Sequence, residues 1–285
     1  MTTYLLPFEK MHGLGNDFIV LERRHMPNNV DDRKLAIQLC NRNFAIGADG
    51  LIIVDFSTSG KTDFSWNYFN SNGSMAEMCG NGMRCFAKYV YERGLTDEIT
   101  FSVMTGAGVI KPLLESDGSV TVDMGQAKFF DTSQQLELDG KLITYTYVEI
   151  GNPHCVIFRD SEISEREFLD LGPRIEKHSA FQNGVNVEFV KVVNKNEIKC
   201  KVWERGAGST LACGTGACAV LVAANINTYV DNSSLIYLPG GCLKVHWDIS
   251  DKIVYLNGPA SFVYTGQYNL DPKSVCFDKK LMLND

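Results

Sequence analysis

The chain contains no C-x-x-C pair, although nine of its 285 residues are cysteine: Cys40, Cys79, Cys85, Cys155, Cys200, Cys213, Cys218, Cys242 and Cys276. That absence argues against a structural zinc site and against thiol–disulfide exchange, both of which usually carry such pairs. A basic surplus is missing too. The net charge is −7, from 27 Lys and Arg against 34 Asp and Glu. This argues against the basic stripe of a nucleic-acid surface and against attraction to an anionic membrane. No uninterrupted apolar run approaches the ~18 residues of a membrane span. The opening "MTTYLLPFEK" has neither the basic start nor the apolar stretch of a signal peptide. The expectation is a cytoplasmic protein with reduced thiols. Cys40, Cys155, Cys200, Cys242 and Cys276 read as small buried hydrophobes, as do Cys85 and Cys218 within helices.

What is present is a pattern written twice. Residues 70–91 read "NSNGSMAEMCGNGMRCFAKYVY" and residues 204–222 read "ERGAGSTLACGTGACAVLV". Each places a cysteine before a glycine-rich step and follows it with an apolar run of helical character. "GLGNDFIVL" at 13–21 is matched by "EIGNPHCVIF" at 149–158, and "GADGLIIVDF" at 47–56 by "GVNVEFVKVV" at 184–193. Asn16 with Asn152, Asp49 with Asn186 and Cys79 with Cys213 recur at offsets of 134 to 137 residues, and Asn70 and Glu204 each stand nine residues before a cysteine. That order is the signature of a duplicated domain with a pseudo-twofold relation; the period is too long for a solenoid. The crossing between halves is expected near 125–131, and the tail from about 265 to 285 is expected to return to the first half. The domains are then 1–125 plus 265–285, and 126–264.

Local patterns fill in the elements. Residues 18–22 and 51–56 read as short apolar strands, and 32–40 as a helix capped by Asp31 or Asp32. "GMRCFAKYVYERG" puts Met83, Phe86, Ala87, Val90 and Tyr91 on one helical face, with Gly94 as a C-terminal stop. "GACAVLVAANI" is apolar nearly all round and predicts a buried helix. "SVTVDMG" and "LITYTYVEI" alternate as half-buried strands do, and "ESDGS" at 115–119 and "ELDGK" at 137–141 read as hairpin turns.

A cysteine at a helix start meets N–H groups without internal partners and about half a positive charge. The thiol there is expected to ionise more readily than a free one. Gly80, Gly82, Gly214 and Gly216 allow an anion such as a carboxylate to approach the amides. Two such devices brought to one ligand would let a thiolate remove a proton from one face of a carbon while a thiol delivers one to the other face. A single C-G-x-G is equally a buried cysteine beside a tight helix entry. Read alone, Glu204–Arg205 is a surface ion pair, His154 a satisfied core or turn histidine, and Asn16 and Asn152 plain turn residues.

Taken together, "MHGLGNDF", "NSNGSMAEMCGNGMRCFAKY", "GNPHCV", "GVNVEF" and "WERGAGSTLACGTGACA" closely resemble the diaminopimelate epimerase family over nearly the whole chain. One departure is Asn72, where the family usually has Asp; it keeps a turn-forming side chain and drops a charge. The resemblance implies an α/β (α+β) fold of two pseudo-symmetric domains, each a curled, mainly antiparallel sheet around a central helix. It implies a homodimeric isomerase acting on a small molecule without pyridoxal phosphate, other cofactor or metal, interconverting LL- and meso-diaminopimelate for lysine and peptidoglycan synthesis. Carried over by position, Cys79 and Cys213 are the acid–base pair. Asn16, Asn70, Asn152, Asn186, Glu204 and Arg205 line the pocket, Gly80 with Asn81 and Gly214 with Thr215 bind the reacting carboxylate, and His154 and Glu204 adjust the thiols. Two other readings stand beside it: an epimerase for another amino acid, and an amino-acid-binding module without catalysis.

Overall fold

The computed structural model describes residues 4–58, 60–129 and 132–276. The chain divides into two compact units, Met1–Gly118 with Ala260–Asp285, and Ser119–Pro259. The divisions fall at 118/119 and 259/260, where the sequence placed them at 125/126 and 264/265. Strand pairing moves both. Val120–Gln126 pairs with Ile253–Gly258 of the second unit, and Ser261–Leu270 pairs with Tyr4–Gly13 of the first. Residues 130 and 131 of the expected crossing, and 277–285 of the expected tail, lie outside the described residues.

The first unit runs β1 (Tyr4–Gly13), β2 (Asn16–Glu22), α1 (Asp32–Leu39), β3 (Gly50–Phe56), β4 (Phe64–Asn70), α2 (Gly80–Glu92), β5 (Val103–Thr105), β6 (Gly108–Ile110) and the short β7 (Leu113–Leu114). The second runs β8 (Val120–Gln126), β9 (Lys128–Phe129), β10 (Gln134–Leu138), β11 (Lys141–Glu149), β12 (Pro153–Phe158), α3 (Glu165–Glu176), β13 (Asn186–Asn194), β14 (Glu197–Glu204), β15 (Gly208–Ser209), α4 (Gly214–Ile226), β16 (Ser233–Leu238), β17 (Gly241–Asp248) and β18 (Ile253–Gly258). The returning strand Ser261–Leu270, β19, completes the first.

Strand order in the first sheet is β19-β1-β2-β3-β4-β5-β6; the second contains β10-β11-β12-β13-β14-β16-β17-β18-β8. From β19 and from β10 the pair senses are the same: antiparallel, antiparallel, parallel, antiparallel, parallel, antiparallel. The repeat in the sequence is thus a repeat in topology, with α2 and α4 in the same slot.

In the first unit both faces of β2 and β3 are covered, which is why they read as continuous apolar runs rather than alternating ones. Ile19, Leu21, Leu51 and Ile53 pack with Leu35 and Leu39 of α1. Trp66, Ile52 and Phe18 face α2, where Gly82 lets the helix sit close: a Cβ there would come 2.9 Å from Trp66 Cη2. Met83, Phe86, Ala87 and Val90 are buried as expected, but Tyr91 is 39% exposed; it sits one position past the apolar face, and Tyr89 is buried in its place. Gly94 (φ 66°) ends α2, with the Gly94 N–H donating to Tyr91 O and the Leu95 N–H to Val90 O. That pair of bonds closes a helix end only when a residue can adopt the left-handed conformation. Asp31 rather than Asp32 caps α1, accepting from the Arg33 and Lys34 N–H groups; Asp32 pairs with Arg23 instead.

In the second unit α4 packs against strands β11 to β14 and β16 to β18, which accounts for its apolar circumference. On the other face, Phe168 and Ile175 of α3 pack with Cys155, Ile157, Val187 and Phe189. Ser164 and Glu167 form a capping box at the start of α3. Asp139 (φ 53°) and Gly140 (φ 73°) make the tight turn between β10 and β11 expected from "ELDGK".

Candidate active site

In the first unit the hairpin between β1 and β2 turns through Leu14 (φ 54°) and Gly15 (φ 87°). Two successive positive φ values give the twist a two-residue hairpin loop needs. Leu14 adopts the left-handed form at a cost of about 1 kcal/mol, and the turn delivers Asn16 to the start of β2. Cys79 is the N-cap of α2, with extended backbone (φ −148°). Its thiol donates to Asn16 Oδ1 (3.9 Å), the same oxygen that accepts from Asn81 Nδ2 (3.1 Å). Asn16 Nδ2 donates to Asp49 Oδ2 (2.9 Å), and Asp49 Oδ1 accepts from Arg42, which also binds Asp17. Lys10 completes the chain on Asp17 at 2.7 Å. Burial pushes the Asp17 carboxyl up, but hydrogen bonds from Arg42 and Lys10 outweigh it and hold the group well below the ordinary range. The amide of Asn16 is therefore oriented, with its oxygen toward Cys79.

Asn70, at the end of β4, is tied into its own loop. It donates to Ser74 Oγ (2.9 Å) and accepts from Tyr68 OH (3.1 Å). Asn72 accepts from the Ser74 N–H (2.9 Å) and hydroxyl (2.6 Å), two bonds that need an acceptor and no charge. The departure at this position keeps the turn.

In the second unit Cys213 caps α4, and its sulfur accepts from the Gly216 N–H (3.4 Å) and lies 3.5 Å from Thr215 Oγ1. These local contacts favour the thiolate, as the helix-start argument expects. The net direction is opposite: burial, then the charges of Glu204 and Glu188, push the Cys213 thiol well above its ordinary value. Glu204, ending β14, accepts from Thr210 Oγ1 (2.5 Å) and also contacts Cys213; burial raises its carboxyl. Glu204 and Arg205 do not pair with each other in the pattern of a surface ion pair: Glu204 turns to Thr210 and Cys213, while Arg205 is exposed and donates to Asn183 O (3.3 Å).

Asn186 is a brace. Its Nδ2 donates to Pro153 O (2.9 Å), and its Oδ1 accepts the Arg205 N–H (2.9 Å), joining the starts of β12 and β13 to the end of β14. His154 is fully buried on β12, with Nδ1 2.7 Å from Glu188 Oε1 and Nε2 2.9 Å from Asn152 Oδ1. Cys79, Asn16, Gly80 and Asn81 thus gather at one helix start, and Cys213, Glu204, Gly214 and Thr215 at the other; Asn70 ends β4 and bonds to Tyr68 and Ser74, and Arg205 is exposed just after β14.

Asp49 as the anchor of Asn16, Thr210 and Glu188 carry no role in the sequence reading. The signal for Glu188 was present: in "NVEFV" it falls two residues after Asn186, hence on the same face of a strand, and it is the sole charge in an otherwise apolar run.

The family described as Diaminopimelate epimerase matches residues 8–130 and 146–263. The diaminopimelate epimerase of Trichodesmium erythraeum is 42% identical over 275 residues, covering 91% of this chain and 98% of its own. That of Heliobacterium modesticaldum is 42% identical over 284 residues, covering 93% and 100%. Among solved structures, a hydroxyproline epimerase from Agrobacterium vitis superposes with a TM-score of 0.72 at 16% identity, covering 96% of each chain; at that identity the likeness speaks for the two-domain α+β fold alone. With both of its halves matched and such identity sustained along nearly all its length, the chain belongs to the diaminopimelate epimerase family, a family of isomerases.

Proposed function

We propose that this chain interconverts LL-2,6-diaminopimelate and meso-diaminopimelate by a two-base mechanism, with Cys79 and Cys213 as the acid–base pair and without pyridoxal phosphate. The observation that carries the reading is that the two cysteines cap helices in the same slot of a repeated topology. One thiolate takes the α-proton and the other thiol returns a proton to the opposite face. The N–H groups of Gly80 with Asn81 and of Gly214 with Thr215 hold the reacting carboxylate, whose charge grows as the proton leaves. Helix starts are suited to that task because their dipoles are fixed before the reaction begins.

In the second half-site the thiol is the acid when the substrate arrives. A buried thiol with two carboxylates nearby favours its protonated form. The substrate's ammonium, accepted by Glu204, offsets one of those charges and makes ionisation easier in the complex. Arg205 grips the distal carboxylate, a group that a one-ended amino acid lacks. Asn16, Asn70, Asn152 and Asn186 recognise or frame the remaining polar groups. The enzyme works as a homodimer in the cytoplasm and serves lysine and peptidoglycan precursor synthesis. Among the described residues no helix is long and apolar enough to cross a membrane.

Hydrogen exchange tests the proposal. Purified protein in deuterated water, with no added cofactor, is expected to place deuterium at one α-carbon of diaminopimelate as the isomers equilibrate. Protein that binds diaminopimelate and leaves its α-hydrogens untouched would instead be a binding module, and equal turnover of an amino acid with a single carboxylate would remove the role assigned to Arg205.

A further inference from the structure

The α3 side of the second sheet carries a row of like charges. Strands β13 and β14 place Lys191 directly opposite Lys199, and β14 and β16 place Lys199 beside Tyr237. On the other flank Phe158, the last residue of β12, pairs with Val190. The Arg159 N–H then donates to Val190 O (2.8 Å), which sets Arg159 next to Lys191. Like charges directly opposite one another destabilise a sheet, so stability alone does not account for this row. A cavity of about 260 Å³ opens along it, lined by Arg159, Lys191, Lys199 and Lys201 and walled by the apolar Ile163, Phe189 and Leu238. Pockets for drug-sized ligands run to roughly 300–1,000 Å³, so this one suits a smaller molecule.

The partners of these cations leave one charge over. Lys199 is held by Glu162 (2.7 Å), Lys201 by Glu165 (2.8 Å) and Arg159, through Nη2, by Glu167 (3.2 Å). Lys201 also lies over the Phe168 ring, 5.6 Å from its centroid. Lys191 has no hydrogen bond or ion pair among the described residues. It acts on Glu162 only through its charge, which adds to the Lys199 hydrogen bond in holding that carboxyl below its ordinary range. Arg159 Nε is buried and has no hydrogen-bond partner among the described residues. Two neighbouring residues therefore keep a donor in reserve, an ammonium and a guanidinium N–H, beside an apolar wall. A buried donor left unpaired costs free energy that an acceptor recovers, and a surplus of one positive charge suits an acceptor carrying one negative charge.

We propose that this cavity is a second binding site, for a small monocarboxylate with an apolar body. The carboxylate takes the Lys191 ammonium and the Arg159 Nε–H, and the body lies against Ile163, Phe189 and Leu238. None of the residues lining the cavity is among those assigned to epimerisation, so the site goes beyond that reading and does not depend on it. The apolar wall distinguishes the ligand from a bare inorganic anion, and the three acid–base pairs already formed leave no room for a second negative charge to be balanced.

Titration of the full chain with 3-phenylpropionate, followed by backbone amide shifts in TROSY NMR, tests the site. Saturable shifts are expected at residues 159–163, 189–191, 199–201 and 237–239, in the millimolar range or below. 3-Phenylpropanamide keeps the shape and drops the charge, and is expected to bind at least about tenfold more weakly; so is the acid to Lys191→Gln, as for a lost hydrogen bond to a charged group. Lys191 is only half-buried, so Lys191→Gln is expected to keep the fold, checked by circular dichroism. Inorganic phosphate at equal concentration is expected not to displace the acid. No saturable shifts at those residues, equal binding of acid and amide, or unchanged affinity in Lys191→Gln would each overturn the proposal. Displacement by phosphate would reduce the site to a plain anion contact and overturn it as well. The shifts do not depend on turnover: their absence leaves the two-cysteine reading untouched, and failure of the exchange assay leaves them unchanged.

Discussion

At the scale of single residues, the two thiols have different surroundings. Cys79 shares an amide oxygen with Asn81 at the end of a chain of anchored groups, Asn16, Asp49, Arg42, Asp17 and Lys10. Cys213 lies buried with two carboxylates that oppose its ionisation. Removing one of those charges should lower the thiol's pKa, because a neighbouring negative charge disfavours the thiolate. Glu204→Gln is therefore expected to speed alkylation of Cys213 by iodoacetamide several-fold at pH 8 in the absence of substrate, followed by peptide mass spectrometry; an unchanged or slower rate would mean that Glu204 does not set this thiol's charge. The cysteines were legible in the sequence because each is followed by Gly-x-Gly and an apolar helix. The direction of the Cys213 shift was not, since it depends on Glu188 and Glu204 arriving from separate strands and on a burial no local pattern encodes.

At the scale of elements, each cysteine caps a helix that approaches its own sheet closely. Gly82 is the contact point in the first unit, against Trp66 on β4. Gly82→Ala places a methyl group 2.9 Å from the indole, in a layer where Trp66 is already held against Phe86 with ring centroids 5.7 Å apart. Overpacking of this kind costs roughly 1–3 kcal/mol. The expected outcome is a clear fall in Tm by differential scanning calorimetry; an unchanged Tm would mean the helix can lift from the sheet at little cost. Strands β2 and β3, helix α1 and the buried character of α4 were readable from runs, caps and periodicity. Tyr91 was misplaced because an apolar side chain one step beyond the helical face still satisfies a generous pattern. The divisions at 118/119 and 259/260 were unreadable for a different reason: β8 and β19 are assigned to their units by long-range pairing, with Ile253–Gly258 and Tyr4–Gly13 respectively, and nothing local announces a strand's partner.

At the scale of the whole molecule, the sequence repeat and the repeated strand order are one fact seen twice. The offset of 134 to 137 residues in the sequence becomes two sheets with the same succession of pair senses and a cysteine at the head of the enclosed helix in each. A duplicated fold supplies two copies of a device, and the proposed two-base epimerisation would use two, one for each face of the carbon. Two-base chemistry requires both copies. Cys79→Ala and Cys213→Ala, prepared separately and assayed for conversion of LL- and of meso-diaminopimelate, measure that requirement most directly. Each is expected to lose epimerisation by at least about 100-fold, the lower end of what a positioned acid or base contributes, with the fold retained by circular dichroism. Either variant converting one isomer to the other at the wild-type rate would contradict the two-base account.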